Sequence, residues 1–131
     1  MAEDSPRSRG RENVSHSYKN LVAWQKSMTL VKNVYLHTSS FPKTEAYGLA
    51  AQLRRAAVSI PSNIAEGQGR LSRKEFKHFL SLARGSLLEV ETQVLIAADL
   101  NYLSSDEAHD LETRTQEVLR IINALMNSLK C

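Results

Sequence analysis

Two acid-x-x-histidine pairs, Glu75 with His78 and Asp106 with His109, are the residues that first suggest chemistry. In helical bundles this spacing places a carboxylate and an imidazole on one helix face, where such pairs can hold a di-iron site. The pairs begin the third and fourth predicted helices, so at ~1.5 Å per residue they lie roughly 40 Å apart in one chain. A bridged site also needs inward-facing glutamates, and the predicted core is apolar. We therefore interpret the four residues as solvated and predict no metal site and no cofactor.

Two other patterns have catalytic associations. Residues 106–109 spell the DEAH motif of nucleic-acid helicases, but the chain lacks the phosphate-binding loop G-x-x-x-x-G-K-[ST] that works with it. The two carboxylates of this segment suit the first turn of a helix, because they complement its exposed N–H groups. Ser59, Ser62 and Ser86 have no histidine at their helical level other than His78, and no oxyanion-holding loop is evident. We predict that the protein is not an enzyme and has no catalytic residue.

The distribution of Lys and Arg residues is the remaining feature of the sequence that indicates a function. From residue 54 to residue 84 the chain has seven Lys or Arg and two Glu, a net +5, whereas residues 89–131 have three Lys or Arg and eight Asp or Glu, a net −5. Such asymmetry favours an anionic partner for the middle of the chain or association between unlike patches. The predicted nucleic-acid-binding residues are Arg70, Arg73, Lys74, Lys77 and Arg84.

Two hypotheses account for these charges. In the first, the basic residues bind RNA or DNA by displacing counterions from phosphates, with an affinity that falls steeply with salt. The alternative is a protein–protein interaction scaffold with no nucleic-acid binding, whose basic end is only solvated. For Arg54 and Arg55 we expect pairing with Glu89 and Glu91, within a chain or across a subunit interface.

The sequence predicts four amphipathic helices, which carry the basic residues. The predicted fold is therefore all-α. Apolar residues recur at steps of three and four, which is typical of an up-down-up-down antiparallel four-helix bundle. The predicted core positions are Leu21, Trp24, Met28, Val31 and Tyr35 on the first helix, Leu49, Leu53, Ala56 or Ala57, Ile60 and Ile64 on the second, Leu80, Ala83, Leu87, Val90, Val94 and Ala97 on the third, and Leu111, Thr115, Val118, Ile122, Leu125 and Leu129 on the fourth.

Short polar motifs mark the helix starts. Asn20 is the predicted cap of the first helix, and Thr44 opens the second, which stops at Gly67 or Gly69. Capping boxes at residues 72–75 and 104–107 begin the third and fourth helices. A turn near residue 70 places residue 54 level with about residue 86.

Pro61 lies within the second helix, where its ring and missing N–H predict a bend. Ser62 or Asn63 is expected to satisfy the carbonyl of Ala57, which loses its partner. Glu66 lies on the same polar side, so we assign Pro61, Asn63 and Glu66 structural or interface roles.

Composition limits the remaining choices. A chain of 131 residues that is 42% hydrophobic suffices for one domain. We predict a disordered basic arm at residues 1–17 and the bundle at residues 18–131. No signal peptide and no run of ~20 apolar residues is evident, so we expect a cytoplasmic protein with no membrane partner. Cys131, the only cysteine, cannot form a disulfide within the chain.

Some apolar residues fall outside the predicted core stripes. A helix that is apolar well beyond one stripe normally packs both in the core of its own subunit and against a second surface. We therefore expect the chain to associate with itself. These residues are Leu30 and Val34 on the first helix, Leu82, Leu88, Leu95 and Ile96 on the third, and Leu119, Ile121 and Met126 on the fourth.

The segments 21–26, 41–43, 47–49 and above all 52–67 resemble the bacterial four-helix-bundle proteins encoded in intervening sequences of large-subunit ribosomal RNA genes. Shorter matches at residues 69–70, 79–80, 84–86 and 89–93 extend the resemblance over about residues 19 to 130. It implies a four-helix subunit that assembles into a ring-like homopentamer. It implies no catalytic residue, and the function of such proteins is largely uncharacterised.

Overall fold

The structure, a computed structural model, describes residues 18–129. The predicted arm at residues 1–17 and the last two residues of the predicted domain lie outside this range. Four helices follow in order: α1 Val22–Thr38, α2 Leu49–Gln68, α3 Arg73–Asp99 and α4 Ser105–Ser128. A 3-10 turn at Lys43–Glu45 precedes α2, and residues 18–129 contain no strand. The all-α prediction is confirmed.

The helices pack as a bundle in which α1 and α3 each contact both α2 and α4. Between α1 and α4 the side-chain contacts run in opposite sequence order: His37 meets Asp110, and the earlier Lys26 meets the later Glu117. This is the order that an up-down-up-down arrangement gives. That arrangement and the bend at Pro61 stay predictions, and α2 continues as one helix through Pro61.

The core is aliphatic and formed by one stripe of each helix. All six predicted core residues of α3 are buried, as are the first four of α4, while Leu125 and Leu129 are partly buried against them. On α2, Leu53, Ile60 and Ile64 are buried, and Ala56 and Ala57 both face inward. Steps of three and four therefore identified the inner faces of three helices.

The predicted inner face of α1 was wrong. Tyr35 is 45% exposed, and Trp24, Met28 and Val31 are only partly buried. Leu30 and Val34, which we expected to lie outside the core, are fully buried. The buried stripe is Ala23, Ser27, Leu30, Val34 and Thr38.

Two buried hydroxyls explain this error. The hydroxyl of Ser27 donates to the carbonyl of Trp24 at 2.8 Å, and that of Thr38 donates to the carbonyl of Val34 at 2.7 Å. Because these bonds satisfy the polar groups inside α1, Ser27 and Thr38 can lie in the core at little cost. A pattern that counted only large apolar residues could not find this face.

Two of the four helix starts predicted from the sequence are confirmed. The Ser72 hydroxyl accepts a bond from the Glu75 N–H at 3.1 Å, and Ser104 and Glu107 form a complete capping box. The other two predicted starts are wrong: α1 begins after Leu21 without a side-chain cap, and α2 begins at Leu49. The Leu49 N–H donates to Glu45 Oε1 at 2.9 Å, so a glutamate outside the helix caps it.

Candidate functional site

Gly67 and Gly69 shape the turn between α2 and α3, where the predicted basic residues cluster. Gly69 is the C-cap of α2, as expected for a helix that ends there. At Gly67 an added Cβ would lie only 2.7 Å from the Cβ of Phe79 and 3.0 Å from Phe76 Cδ1. Glycine therefore lets α2 and α3 approach closely just before the turn.

Arg70 has more partners than the sequence suggested. Its Nη2 lies 2.7 Å from Glu66 Oε2, and its guanidinium carbon lies 4.7 Å from the centre of the Phe79 ring. The four-residue spacing of Glu66 and Arg70 could have predicted this ion pair. Glu66 therefore neutralises part of the charge of Arg70.

Arg73, Lys74 and Lys77 carry the unpaired positive charge at this end. Arg73 and Lys74 are exposed, Lys77 is half-buried, and none forms an ion pair with any residue between 18 and 129. They lie in the first turns of α3, where the free N–H groups add partial positive charge. Glu75 is the acidic residue of that first turn.

Arg84 extends the same side of α3. Positions 73, 77 and 84 are spaced by four and seven residues, so they share one helix face. The Arg84 Nε donates to Asn123 Oδ1 of α4 at 3.0 Å, which orients the guanidinium along the α3–α4 boundary. Arg73, Lys77 and Arg84 thus lie along one face of α3, with Arg84 about 16 Å along the helix from Arg73, and Lys74 follows Arg73 in the chain.

Arg54 does not pair with a glutamate of α3. Its Nε donates to Thr38 Oγ1 at 2.8 Å, and its guanidinium carbon lies 4.8 Å from the centre of the Tyr35 ring. Both contacts are with α1, so the predicted pairing within the chain is wrong for Arg54. Glu91 accepts a hydrogen bond from the Gln116 amide of α4 instead.

Arg55 and Glu89 line one cleft between α2 and α3, of about 420 Å³, but do not form an ion pair with each other. At its wall the hydroxyl of Ser59 donates to that of Ser86. Ser86 therefore lies level with Ser59, not with residue 54 as predicted. Pairing of Arg55 with Glu89 across a subunit interface stays a prediction.

Pro61 is buried within α2, and the polar residues after it bond one turn back. The Ser62 hydroxyl donates to the carbonyl of Val58 at 2.9 Å, and the Asn63 amide donates to the carbonyl of Ser59 at 2.8 Å. We expected one of them to bond Ala57. Because helix geometry favours the carbonyl four residues earlier, each reaches its own i−4 oxygen.

Two further polar contacts were missed in the sequence. His37 of α1 lies 3.0 Å from Asp110 Oδ2 and 3.8 Å from Glu107 Oε2, and Asp110 also pairs with Arg114 at 3.1 Å. The four-residue spacing of Asp110 and Arg114 could have predicted that pair. No local signal links His37 to α4, because the contact spans 73 residues of chain.

The second missed contact joins the loops before α2 and α4. The Tyr102 hydroxyl donates to Glu45 Oε2 at 3.0 Å. The hydrogen bond to this carboxylate, with a smaller effect of burial and of the carboxylate charge, raises the pKa of Tyr102. Glu45 thus uses one oxygen to cap α2 and the other to hold Tyr102.

Across residues 18–129, no cluster of three or more His, Cys, Asp or Glu side chains is arranged as a metal site. Within the same range, no helix combines the length and the apolarity that crossing a membrane requires.

The fold and the basic end define a small helical-bundle protein with an exposed cationic surface. The chain belongs to the 23S rRNA-intervening sequence protein family, whose model matches residues 19–124. The resemblance inferred from the sequence is confirmed.

The fold has a solved relative. It is similar to the crystal structure of a protein of unknown function of the S23 ribosomal protein family from Bacteroides thetaiotaomicron VPI-5482, with a TM-score of 0.74 and 20% sequence identity. The match covers 81% of this chain and 96% of that one. No curated protein matches this chain. At this identity the structural similarity supports the fold and carries no function.

Proposed function

We propose that the protein is a non-enzymatic, homo-oligomeric, cytoplasmic module that binds RNA through a basic surface made of Arg73, Lys74, Lys77 and Arg84, with Arg70 at its edge. The observation that supports this function is the set of cations at the start of α3 without a carboxylate partner among residues 18–129. Unpaired Lys and Arg side chains neutralise phosphates and release counterions, which gives a large part of nucleic-acid affinity.

The surroundings of these cations suit a nucleic acid. The amino end of α3 adds N–H groups and a positive dipole beside Arg73, a setting that favours phosphate. Leu71 is fully exposed, and the exposed His78 ring packs edge-on against Phe79 with centroids 5.5 Å apart. The exposed His78 ring beside these cations provides a stacking surface for an unpaired base.

Self-association belongs to the same proposal. Leu82, Leu88, Leu95 and Ile96 of α3 are each between 40% and 49% exposed. Four large aliphatic side chains on one helix are more than an isolated bundle needs to expose. A ring of five copies, the number implied by the family resemblance, would repeat the basic surface around one axis and raise its avidity for a long anionic strand.

Fluorescence anisotropy with a labelled RNA hairpin, and with a single strand of equal length, tests the binding surface. The double substitution Arg73→Glu and Lys74→Glu should weaken binding at least tenfold and flatten its salt dependence, because two phosphate contacts contribute a log–log salt slope of about −1.8 on a duplex and about −1.4 on a single strand. A matched control, Lys32→Glu with Lys43→Glu, changes the net charge equally at exposed positions outside the basic surface.

The control should bind RNA more tightly than the test variant. Equal affinities of the two variants would show a non-specific charge effect and contradict the proposed surface. No RNA binding by the wild type, with an intact oligomer, would favour the protein–protein scaffold.

A further inference from the structure

We propose that the outer face of α3 docks into the groove between α1 and α2 of a second copy of this chain. The outer face of α3 is defined here as Leu82, Gly85, Leu88, Glu89, Thr92 and Ile96, and the α1–α2 groove as the two cavities that flank Val58. This inference rests on the self-association in the proposed function and adds which surfaces meet.

Gly85 is the first support. It lies in the middle of a helix of 27 residues, is exposed, and an added Cβ there would meet no atom within 4 Å. Glycine is unfavourable inside a helix, and no contact with the residues between 18 and 129 requires it at this position. A glycine of this kind is explained when another backbone approaches closely from outside, as the buried Gly67 already shows within the chain.

The groove is the second support. One cavity of about 680 Å³ is lined by Tyr35, Tyr47 and Val58, and another of about 400 Å³ by Trp24, Val31 and Val58. Tyr47 is almost fully exposed and Val58 is 40% exposed, so large apolar side chains there lack cover. A groove of this shape accepts the ridge of a helix.

The two surfaces match in length. On α2 the groove extends from Ala51 to Ala65. On α3 the outer face extends from Leu82 to Ile96. Each interval is fourteen residues, or about 21 Å at the α-helical rise, so one can cover the other over four turns.

Their charges are also complementary. Arg54 and Arg55 line one end of the groove, and no acidic residue lines it. The outer face of α3 carries Glu89, which has no ion-pair partner within residues 18–129, and Asp99 follows it at the carboxyl end of the helix. Opposite charges on unlike faces orient the approach and disfavour contact of either face with itself.

Because the two faces are different, the contact is head-to-tail. Each copy offers α3 to one neighbour and receives α3 from another, and such contacts close into a ring when the rotation permits. A second copy of this chain is therefore the occupant that we assign to the groove.

Cross-linking of single-cysteine variants tests this arrangement. The full chain with Cys131→Ser carries either Val58→Cys in the groove or Thr92→Cys on α3, and one of the two carries a size tag. After subunit exchange and treatment with a short bis-maleimide, a mixture of the two should give at least fivefold more cross-linked dimer than either variant alone. Sedimentation velocity on the same samples reports whether they assemble.

Three results would overturn the inference. Efficient cross-linking of Thr92→Cys alone would show that α3 faces α3. Assembly without a mixed cross-link would show that other surfaces meet, while leaving the proposed self-association intact. A monomer at micromolar concentration would overturn both proposals.

Gly85→Leu provides an independent measurement. It should weaken assembly at least tenfold with unchanged helical content, because the added side chain holds the partner backbone away. Thr113→Leu, at an exposed position of α4, adds a similar side chain and should assemble as the wild type does. Wild-type assembly of Gly85→Leu would contradict close approach at this residue.

Discussion

Gly67 and Gly85 are both glycines inside long helices, and their surroundings give them opposite meanings. Gly67 is buried, and Phe79 occupies the space next to it. Gly85 is exposed, with open space around it. The first glycine is explained by packing within the chain, whereas no contact among residues 18–129 explains the second.

Gly67→Ala should destabilise the fold by about 1–3 kcal/mol, the usual cost of overpacking a close contact. The new methyl group would meet the Phe79 Cβ, which is fixed to α3 and cannot swing away. Urea denaturation followed by circular dichroism measures the difference. Gly69→Ala is the control, because its added Cβ would lie 3.5 Å from the Glu66 carbonyl oxygen and 3.7 Å from that of Ala65, and it should change stability by no more than about 0.5 kcal/mol. Equal losses for the two variants would argue against the close approach of α2 and α3 at Gly67.

At the scale of the helix, each start has its own chemical cause. The Ser104 hydroxyl accepts the N–H of Glu107 at 3.1 Å, and Glu107 Oε1 accepts the N–H of Ser104 at 2.8 Å. At α2 the same task is done from outside the helix by Glu45. The sequence therefore predicts a helix start when the capping side chain is the N-cap residue itself. It does not predict a start whose capping side chain is positioned by the geometry of the preceding loop.

Ser104→Ala should cost about 1 kcal/mol, because it removes the acceptor for an otherwise unpaired N–H group. Thermal unfolding of α4 and of the whole domain should shift together, since the helix forms one side of the core. Ser105→Ala is the adjacent control: Ser105 is exposed and caps nothing. A Ser105 variant as unstable as the Ser104 variant would refute the capping explanation.

In the whole molecule, adjacent leucines of α3 have separate tasks. Leu87 is fully buried in the core formed with the other helices, and Leu88 is 40% exposed on the outer face of α3. The proposed RNA surface begins at the amino end of the same helix and extends to Arg84, next to Gly85 of the outer face. One helix thus contributes to the core, the proposed interface and the proposed RNA surface.

Leu87→Ala should lower the free energy of unfolding by about 2–5 kcal/mol, because it leaves a cavity in a packed core. Leu88→Ala should cost less than about 1 kcal/mol in stability and should instead weaken self-association. Chemical denaturation and sedimentation velocity on both variants measure the two effects. The opposite pattern, with Leu88→Ala unfolding the domain, would mean that this face is already covered within one chain.

The fold was more predictable than the contacts of its charged residues. Steps of three and four identified the inner faces of α2, α3 and α4, because burial of an apolar stripe is a local demand on the sequence. Where small hydroxyl residues take core positions, as Ser27 and Thr38 do on α1, that rule failed. The basic residues at the start of α3 were likewise predictable, since a helix start and its charges lie within a few residues of each other.

By itself, the sequence determined the helical class, the family, the caps of α3 and α4, and the cluster at Arg73, Lys74 and Lys77. Only the tertiary structure decided that Arg54 stacks on Tyr35, that Arg70 lies over the Phe79 ring, and that His37 reaches Asp110. The physical reason is the separation along the sequence over which each kind of interaction acts. Hydrophobic periodicity and capping act between residues a turn or two apart, whereas the partner of a long charged side chain depends on the rotation of each helix about its axis, which the packed core fixes.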